Sequence, residues 1–191
     1  MKIIICGEPK TGKTTLCKEL KKKMPDCNLI VSEAIRNGFQ KMDSAHSKLW
    51  GTKTSRQRTE DFPAFLKEFL EWNEEFTQNN SIVDLALLGV KDVGKVANEE
   101  DIVICLGFGA KTNEQIFEII RHYEGDSDYT KTLSNEKLLS LWGDVAKQDL
   151  FNKQFCEKNG YFYINTSSNR EKLVNKVISL IDEHKALHQK F

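Results

Sequence analysis

The chain carries no excess of charge of either sign: Lys plus Arg number 28, Asp plus Glu number 28, and the formal net charge is zero. The basic surplus typical of a bulk nucleic-acid binder is missing, so no nucleic-acid partner is expected. No apolar run approaches the length of a membrane span, and no membrane partner is expected either. The amino terminus enters an apolar segment directly, without a secretory leader pattern. Cysteine is sparse and scattered at positions 6, 17, 27, 105 and 156. An odd set without a C-x-x-C pair argues against a disulfide framework or a zinc site. Cys6 and Cys105 fall in segments that read as core strands, where burial is the expected role. Together these features predict a reducing, cytoplasmic setting. No repeat, linker or low-complexity tract divides the 191 residues, which predicts one domain over residues 1–191.

What is present begins at the amino terminus. Residues 2–6 form a short apolar run rich in β-branched side chains and read as a buried strand. They lead into Gly7-Glu8-Pro9-Lys10-Thr11-Gly12-Lys13-Thr14, which fits the phosphate-binding pattern of Gly, four residues, Gly-Lys-Ser/Thr. Residues 15–24 read as a helix with Leu16 and Leu20 on one face. Strand before and helix after are the context the pattern requires. A triphosphate needs concentrated positive potential. Glycines let successive N–H groups point into one concavity, and the helix N-terminus adds its partial positive charge. Lys13 is placed to reach the β- and γ-phosphates, and the Thr14 hydroxyl to ligate Mg²⁺. Gly7 to Thr15 is therefore the expected nucleotide-binding stretch. Lys10 within it either touches a phosphate or is a solvated lysine.

Further along, residues 27–33 read as a second strand ending on Glu33, and residues 34–41 as a short helix interrupted by Gly38. Residues 42–58 read as a long loop carrying His46, Lys48, Trp50, Lys53, Arg56 and Arg58, on the expected substrate side. Residues 59–79 give the strongest helical pattern, with Phe62, Phe65, Leu66, Phe69, Leu70, Trp72 and Phe76 as a core-facing stripe and Pro63 in the first turn. Residues 81–88 read as a third strand holding Asp84, and 89–100 as a connection with one helical turn. The nearly all-apolar residues 101–108 read as a fourth strand buried on both faces. A helix over 112–124, a polar segment over 125–133, a long helix over 134–158 with Gly143 as its break, a fifth strand over 161–166 and a helix over 171–187 complete the chain. Five short strands alternating with helices predict an α/β, three-layer fold with a parallel sheet covered on both faces. Ligands bind such sheets beyond the strands' C-terminal ends. That rule directs attention to Glu33, Asp84 and the stretch from Thr166 to Asn169.

The sequence GEPKTGKTT and the strand spacing resemble the P-loop kinases of nucleosides, nucleotides and other small metabolites, the adenylate-kinase-like group. The resemblance implies a P-loop fold with sheet order 2-3-1-4-5, Mg-ATP as phosphate donor and a small-molecule phosphate acceptor. It implies a lid-like segment over about residues 121–135, with Arg121 crossing to the transferring phosphate. Thr166 and Ser167 resemble the strand-five loop that passes the adenine ring. Glu33 followed by Arg36 resembles the acidic end of strand two, which takes a proton from the attacking hydroxyl in nucleoside and cofactor kinases. The strand-three Asp-Gly with a nearby Pro-Arg of nucleoside monophosphate kinases is absent, since Leu85 and Ala86 follow Asp84. Only Arg121 occurs between Gly109 and Asn169.

Phosphoryl transfer needs charge neutralisation, in-line positioning and exclusion of water. Lys13, Glu33, Asp84 and Arg121 are the candidate catalytic residues, and Thr14 and Asp84 the candidate Mg²⁺ ligands. Each has a plainer reading beside it: a strand-end cap for Asp84, a surface ion pair with Arg36 for Glu33, an exposed helix face for Arg121. Two other classes compete. A GTP switch would need an Asn-Lys-x-Asp after a strand, but the nearest run is Asn152-Lys153-Gln154-Phe155. A nucleotide-binding regulator without turnover fits the thin arginine supply. A homodimer is an open option.

Overall fold

A computed structural model of the chain describes residues 1–42, 55–86, 88–126 and 128–188. The centre is strand β1 (Lys2–Gly7), followed by helix α1 (Lys13–Lys23), strand β2 (Asn28–Val31), helix α2 (Ser32–Met42) and helix α3 (Ser55–Thr77). Strand β3 (Ser81–Asp84), a single-turn α4 (Val90–Val93), strand β4 (Ile102–Gly107) and helix α5 (Asn113–Tyr123) come next. A 3₁₀ turn (Tyr129–Thr132), helices α6 (Asn135–Trp142) and α7 (Val145–Asn159), strand β5 (Phe162–Asn165), a second 3₁₀ turn (Arg170–Lys172) and helix α8 (Leu173–His188) follow. The five strands form one sheet in the order β2-β3-β1-β4-β5. Every pairing is parallel, with Ile5 beside Asp84 on one side of β1 and Gly7 beside Leu106 on the other. This is the order the family resemblance implied.

Alternation along β1 divides the core into two layers. Ile3 and Ile5 face α1 and α8, where they meet Leu16, Leu20, Val177 and Ile181. Ile4 and Cys6 face the other way, onto Leu66 and Leu70 of α3 and Cys156 of α7. Each fully buried aliphatic side chain of this kind contributes roughly 1.5–3 kcal/mol. Because β1 is covered on both faces and flanked on both edges, its C-terminal end is held rigidly where the phosphate loop begins. A third cluster lies beyond the sheet's C-terminal edge. There Phe108 packs with Ile116, Phe117 and Ile120 of α5, Leu138 of α6 and Val145 of α7. All five cysteines are buried and free.

Several segments differ from their sequence-based expectations. Strand β2 ends at Val31, and Glu33 stands in the first turn of α2, exposed, rather than on the strand. Ser32 supplies the reason, since its hydroxyl accepts the Ala86 N–H and ties the turn to the strand-three exit. Of the expected 42–58 loop, residues 55–58 are helical, and residues 43–54 lie outside those described. Starting at Ser55 places Pro63 well inside α3 instead of in its first turn. The stripe on α3 is only partly core: Leu66 and Leu70 are fully buried, but Trp72 is 65% and Phe76 78% exposed. The two exposed rings stack on each other at 5.6 Å between centroids. At 3.6 residues per turn Trp72 and Phe76 project from the side of α3 away from Leu66 and Leu70, so the stripe spans two faces and only one is buried. Strand β3 stops at Asp84, four residues earlier than expected, with the Leu85 N–H still donating to the Ile5 carbonyl at 2.8 Å. The helical stretch over 134–158, by contrast, breaks at Gly143 as expected, where a φ of 71° suits glycine.

Candidate functional site

The loop between β1 and α1 is built by its own backbone. Gly7 has φ 123°, and a Cβ on it would sit 2.0 Å from the Leu106 carbonyl oxygen, so no other residue fits. Glu8 N–H donates to that same carbonyl at 3.2 Å, pinning the loop to β4. Thr11 is fully buried and its hydroxyl donates to the Glu8 carbonyl at 2.8 Å, closing the turn. Lys10 takes a left-handed conformation, φ 63°. Gly12 caps α1 without a side chain, leaving the first N–H groups of the helix open for an anion.

Lys13 lies in the middle of this cradle, 8% exposed. Its ammonium donates to the Gly7 carbonyl at 3.1 Å and the Glu8 carbonyl at 2.7 Å. Burial pulls its pKa down, and the charge of Asp84 opposes that pull. A buried cation held only by neutral carbonyls is electrostatically unfinished, and a phosphate completes it.

Next to it, the Thr14 hydroxyl donates to Asp84 Oδ2 at 2.6 Å. Parallel pairing makes this possible, because the register sets Asp84 beside Ile5, just below the loop. Asp84 is 1% exposed, and its other oxygen, Oδ1, is buried with no hydrogen-bond partner. A carboxylate oxygen in that state is costly unless a cation or water answers it. One carboxylate and one hydroxyl are hard oxygen donors, so the residues present fit Mg²⁺, which keeps several waters and phosphate oxygens as its other ligands. Consistent with such a sparse protein set, no cluster of three His, Cys, Asp or Glu side chains suited to a metal occurs among the described residues.

Glu8, by contrast, points behind the loop. Asn152 Nδ2 of α7 donates to its carboxyl. Burial, and after it the charge of Asp149, push its pKa from 4.5 up to about 7. Asp149 is fully buried and accepts from Phe108 N–H at 3.0 Å, Ala110 N–H at 3.3 Å and the Tyr163 hydroxyl at 2.9 Å. These contacts knit the phosphate loop to the exit of β4. The spacing of the octet carries no sign of this direction for Glu8; its partner, Asn152, is 144 residues away.

A cavity of about 560 Å³ opens over the loop, lined by Pro9, Lys10, Gly12, Lys13, Thr14 and Thr15 on the floor. Glu33, Ala86, Tyr129, Trp142 and Arg170 form its walls. Six of the nine stretch residues from Gly7 to Thr15 are thus accompanied in one space by Glu33, with Asp84 bonded to Thr14. Arg121 is placed elsewhere: its guanidinium donates to Glu124, to the Thr130 carbonyl and to the Leu133 carbonyl. It holds the 124–133 segment together and does not line this cavity. Thr166 is buried and bonds the Gly107 carbonyl through both N–H and hydroxyl, at 2.8 and 3.1 Å. It lines a smaller adjoining cavity of about 230 Å³. Ser167 is half-buried, its N–H donating to Asn165 Oδ1.

Arg170 was not legible as a site residue. It follows Asn169, one position past the 109–169 stretch whose only arginine is Arg121, and no motif surrounds it. Its Nε donates to the Thr166 carbonyl at 3.0 Å and Nη2 to the Lys10 carbonyl at 3.1 Å. The guanidinium lies 3.8 Å from the Tyr123 ring centroid. A second cavity of about 570 Å³, on the far side of Gly12, is lined by Thr15, Leu16, Tyr123, Arg170, Leu173 and Val174 among others.

A five-stranded parallel sheet of order 2-3-1-4-5 with this loop after β1 defines a P-loop, nucleotide-binding fold. Residues 3–105, more than half of the chain, match the AAA domain family, and the chain belongs to that family. A gluconokinase from Sinorhizobium meliloti 1021 superposes with TM-score 0.62 at 12% identity, covering 99% of this chain and 96% of that one. A deoxyadenosine kinase from M. mycoides, with products dCMP and a flexible dCDP bound, superposes with TM-score 0.55 at 16% identity over 96% of this chain and 100% of that one. The same enzyme with bound dATP gives 0.51 at 16% identity, over 95% and 100%. No curated protein sequence is significantly similar to the chain. The fold is that of the P-loop small-molecule kinases. No helix among the described residues is long and apolar enough to cross a membrane.

Proposed function

We propose that the chain is a kinase that binds Mg-ATP in the phosphate loop and transfers the γ-phosphate to a hydroxyl of a small metabolite, a nucleoside, nucleotide or cofactor precursor. The observation that carries this is the shared cavity, which Lys13, Thr14 and Glu33 line together. In this reading the loop N–H groups and Lys13 hold the phosphates. Thr14 and Asp84 hold Mg²⁺, which when bound neutralises charge on the β- and γ-phosphates. Glu33, exposed to the cavity, orients the acceptor hydroxyl and takes its proton. Tyr129 and Trp142 give the same cavity an aromatic surface. The cavity beyond Gly12, floored by Leu16, Leu173 and Val174, has the size and apolar character for the base. The same proposal has one nucleotide-binding domain over residues 1–191, a lid-like segment over 121–135, and a cytoplasmic setting.

One observation favours a second reading, a nucleotide-binding regulator without turnover: Arg121 is engaged with its own segment and not with the cavity. Product formation separates the two. An ATP-consumption screen over nucleosides, nucleotides and vitamin precursors is the first experiment. With an acceptor in hand, Glu33→Gln is expected to lower turnover by about a hundredfold to ten-thousandfold while ATP affinity stays within twofold. Unchanged turnover on a hydroxyl acceptor would reduce Glu33 to a surface carboxylate.

A further inference from the structure

A cation taken out of water is costly unless an anion answers it. The basic side chains near the loop differ in how they meet that requirement. Lys10 pairs with Asp128 at 2.5 Å, and Arg121 pairs with Glu124 at 3.1 Å. Lys13 sits among the loop carbonyls with Asp84 close enough to act on its charge. Arg170 is half-buried and has no carboxylate partner among the described residues. Burial lowers its pKa, and only the Tyr123 hydroxyl opposes.

Arg170 is nonetheless held firmly. Two of its nitrogens are tied to the Thr166 and Lys10 carbonyls, and one face rests on Tyr123. That fixes the planar fork and leaves Nη1, which donates to no protein acceptor among the described residues. Nη1 is beside the loop: a Cβ built on Gly12 would lie 3.9 Å from it. Arg170 also borders both large cavities, the one over the loop and the one beyond Gly12. A guanidinium held rigid, without a counter-ion and with one edge facing the loop is matched by a phosphate oxygen at the junction of those cavities.

We propose that Arg170 is a phosphate-positioning residue: its Nη1 edge receives an anionic phosphate oxygen of the bound nucleotide, while Nη2 holds the left-handed turn at Lys10 in the shape that accepts the phosphate chain. This rests on the nucleotide reading above, and it adds a contact from the strand-five side that neither the loop pattern nor Arg121 provides. Because Lys10 also pairs with Asp128 of the 124–133 segment, the same turn is gripped from two sides, and Arg170 is the grip that carries positive charge.

The test is calorimetric titration of wild type, Arg170→Gln and Arg170→Lys with Mg-ATP and, separately, with Mg-tripolyphosphate, each variant's unliganded melting temperature being recorded alongside. Arg170→Gln is expected to weaken both ligands by a similar factor of about ten to a hundred, the scale of a hydrogen bond to a charged group. Arg170→Lys keeps the charge without the fork, and an intermediate loss is expected. If Arg170→Gln fails to fold, the lysine variant decides by the same criterion. A lower melting temperature with affinities within twofold of wild type would make Arg170 structural and overturn the proposal. A loss confined to Mg-ATP would assign Arg170 to the base or sugar and overturn it too. Wild type binding tripolyphosphate but not ATP would remove the nucleotide reading, while the variants' tripolyphosphate affinities still decide the phosphate contact. Binding of neither ligand by wild type would end both.

Discussion

At the two ends of its central strand the parallel sheet buries lysine in opposite ways. Lys2, at the N-terminal end of β1, is 1% exposed and fully answered: its ammonium meets Asp101 at 2.9 Å and Glu74 at 3.1 Å. The Lys2 N–H donates to Asp101 as well, and the amino terminus pairs with Glu74. Burial pulls the Lys2 pKa down, but Asp101 and Glu74 together raise it above its ordinary value. Lys13, past the other end of the same strand, meets only backbone carbonyls directly, and there burial wins and the pKa falls. Near it Asp84 has a bare oxygen and Arg170 has no counter-ion among the described residues. Charge that is neutralised internally staples the fold. Charge left incomplete at a rigid strand end is set for a ligand.

The sharpest way to break that contrast is at the two lysines themselves. Lys13→Ala should abolish stabilisation by Mg-ATP in a thermal-shift assay while the unliganded protein stays folded, since what it removes is the cation meant for phosphate. A full ATP-induced shift in that variant would mean the loop is not the nucleotide site. Lys2→Met should do the reverse. Removing one partner of a buried ion pair leaves carboxylates uncompensated, which costs about 3–5 kcal/mol. Denaturant unfolding should show that loss, and calorimetry at a temperature where the variant is folded should find ATP affinity unchanged.

Glu8 tests a carboxyl caught between the two behaviours, buried and only partly answered. Its folded pKa is about 7 against 4.5 for an ordinary glutamate, with burial the larger cause and Asp149 the second. The folded state therefore keeps its proton in a range where the unfolded chain has released it. Glu8's contribution to stability is greatest below pH 4.5, falls as pH rises through about 7, and is flat above that, a total of about 3 kcal/mol. Glu8→Gln mimics the protonated form and can still accept from Asn152. It should flatten the unfolding free energy between pH 4.5 and 7 and make the variant more stable than wild type at pH 8. Parallel pH profiles for the two proteins would show that Glu8 titrates normally.

The smallest expected effect belongs to Asp84→Asn. The amide retains the Thr14 contact but loses charge at the bare oxygen, so Mg²⁺ should strengthen ATP binding about tenfold less than in wild type. Titrations with Mg²⁺ and with excess chelator measure the difference. An unaltered Mg²⁺ dependence would leave Asp84 as a cap on Thr14 alone.

What was readable in advance is what local rules encode. The octet from Gly7 to Thr14 is contiguous, and its chemistry needs contiguous backbone N–H groups. The β-branched runs at 2–6 and 101–108 become strands buried on both faces because only a parallel sheet between helices dries both sides of such a run. Alternation within β1 then sorts Ile3 and Ile5 from Ile4 and Cys6 without further information. Register and docking were decided elsewhere. Pairing Ile5 with Asp84 is what carries that carboxylate to Thr14, and the exit of β3 toward Ser32 ties down the start of the helix that holds Glu33. The inward turn of Glu8 depends on Asn152, and the role of Arg170 on Lys10 and Tyr123, partners separated by more than a hundred residues or joined across two loops. Such contacts leave no periodic trace along the chain. Their strength comes from desolvation and charge at sites that exist only once the helices have closed over the sheet.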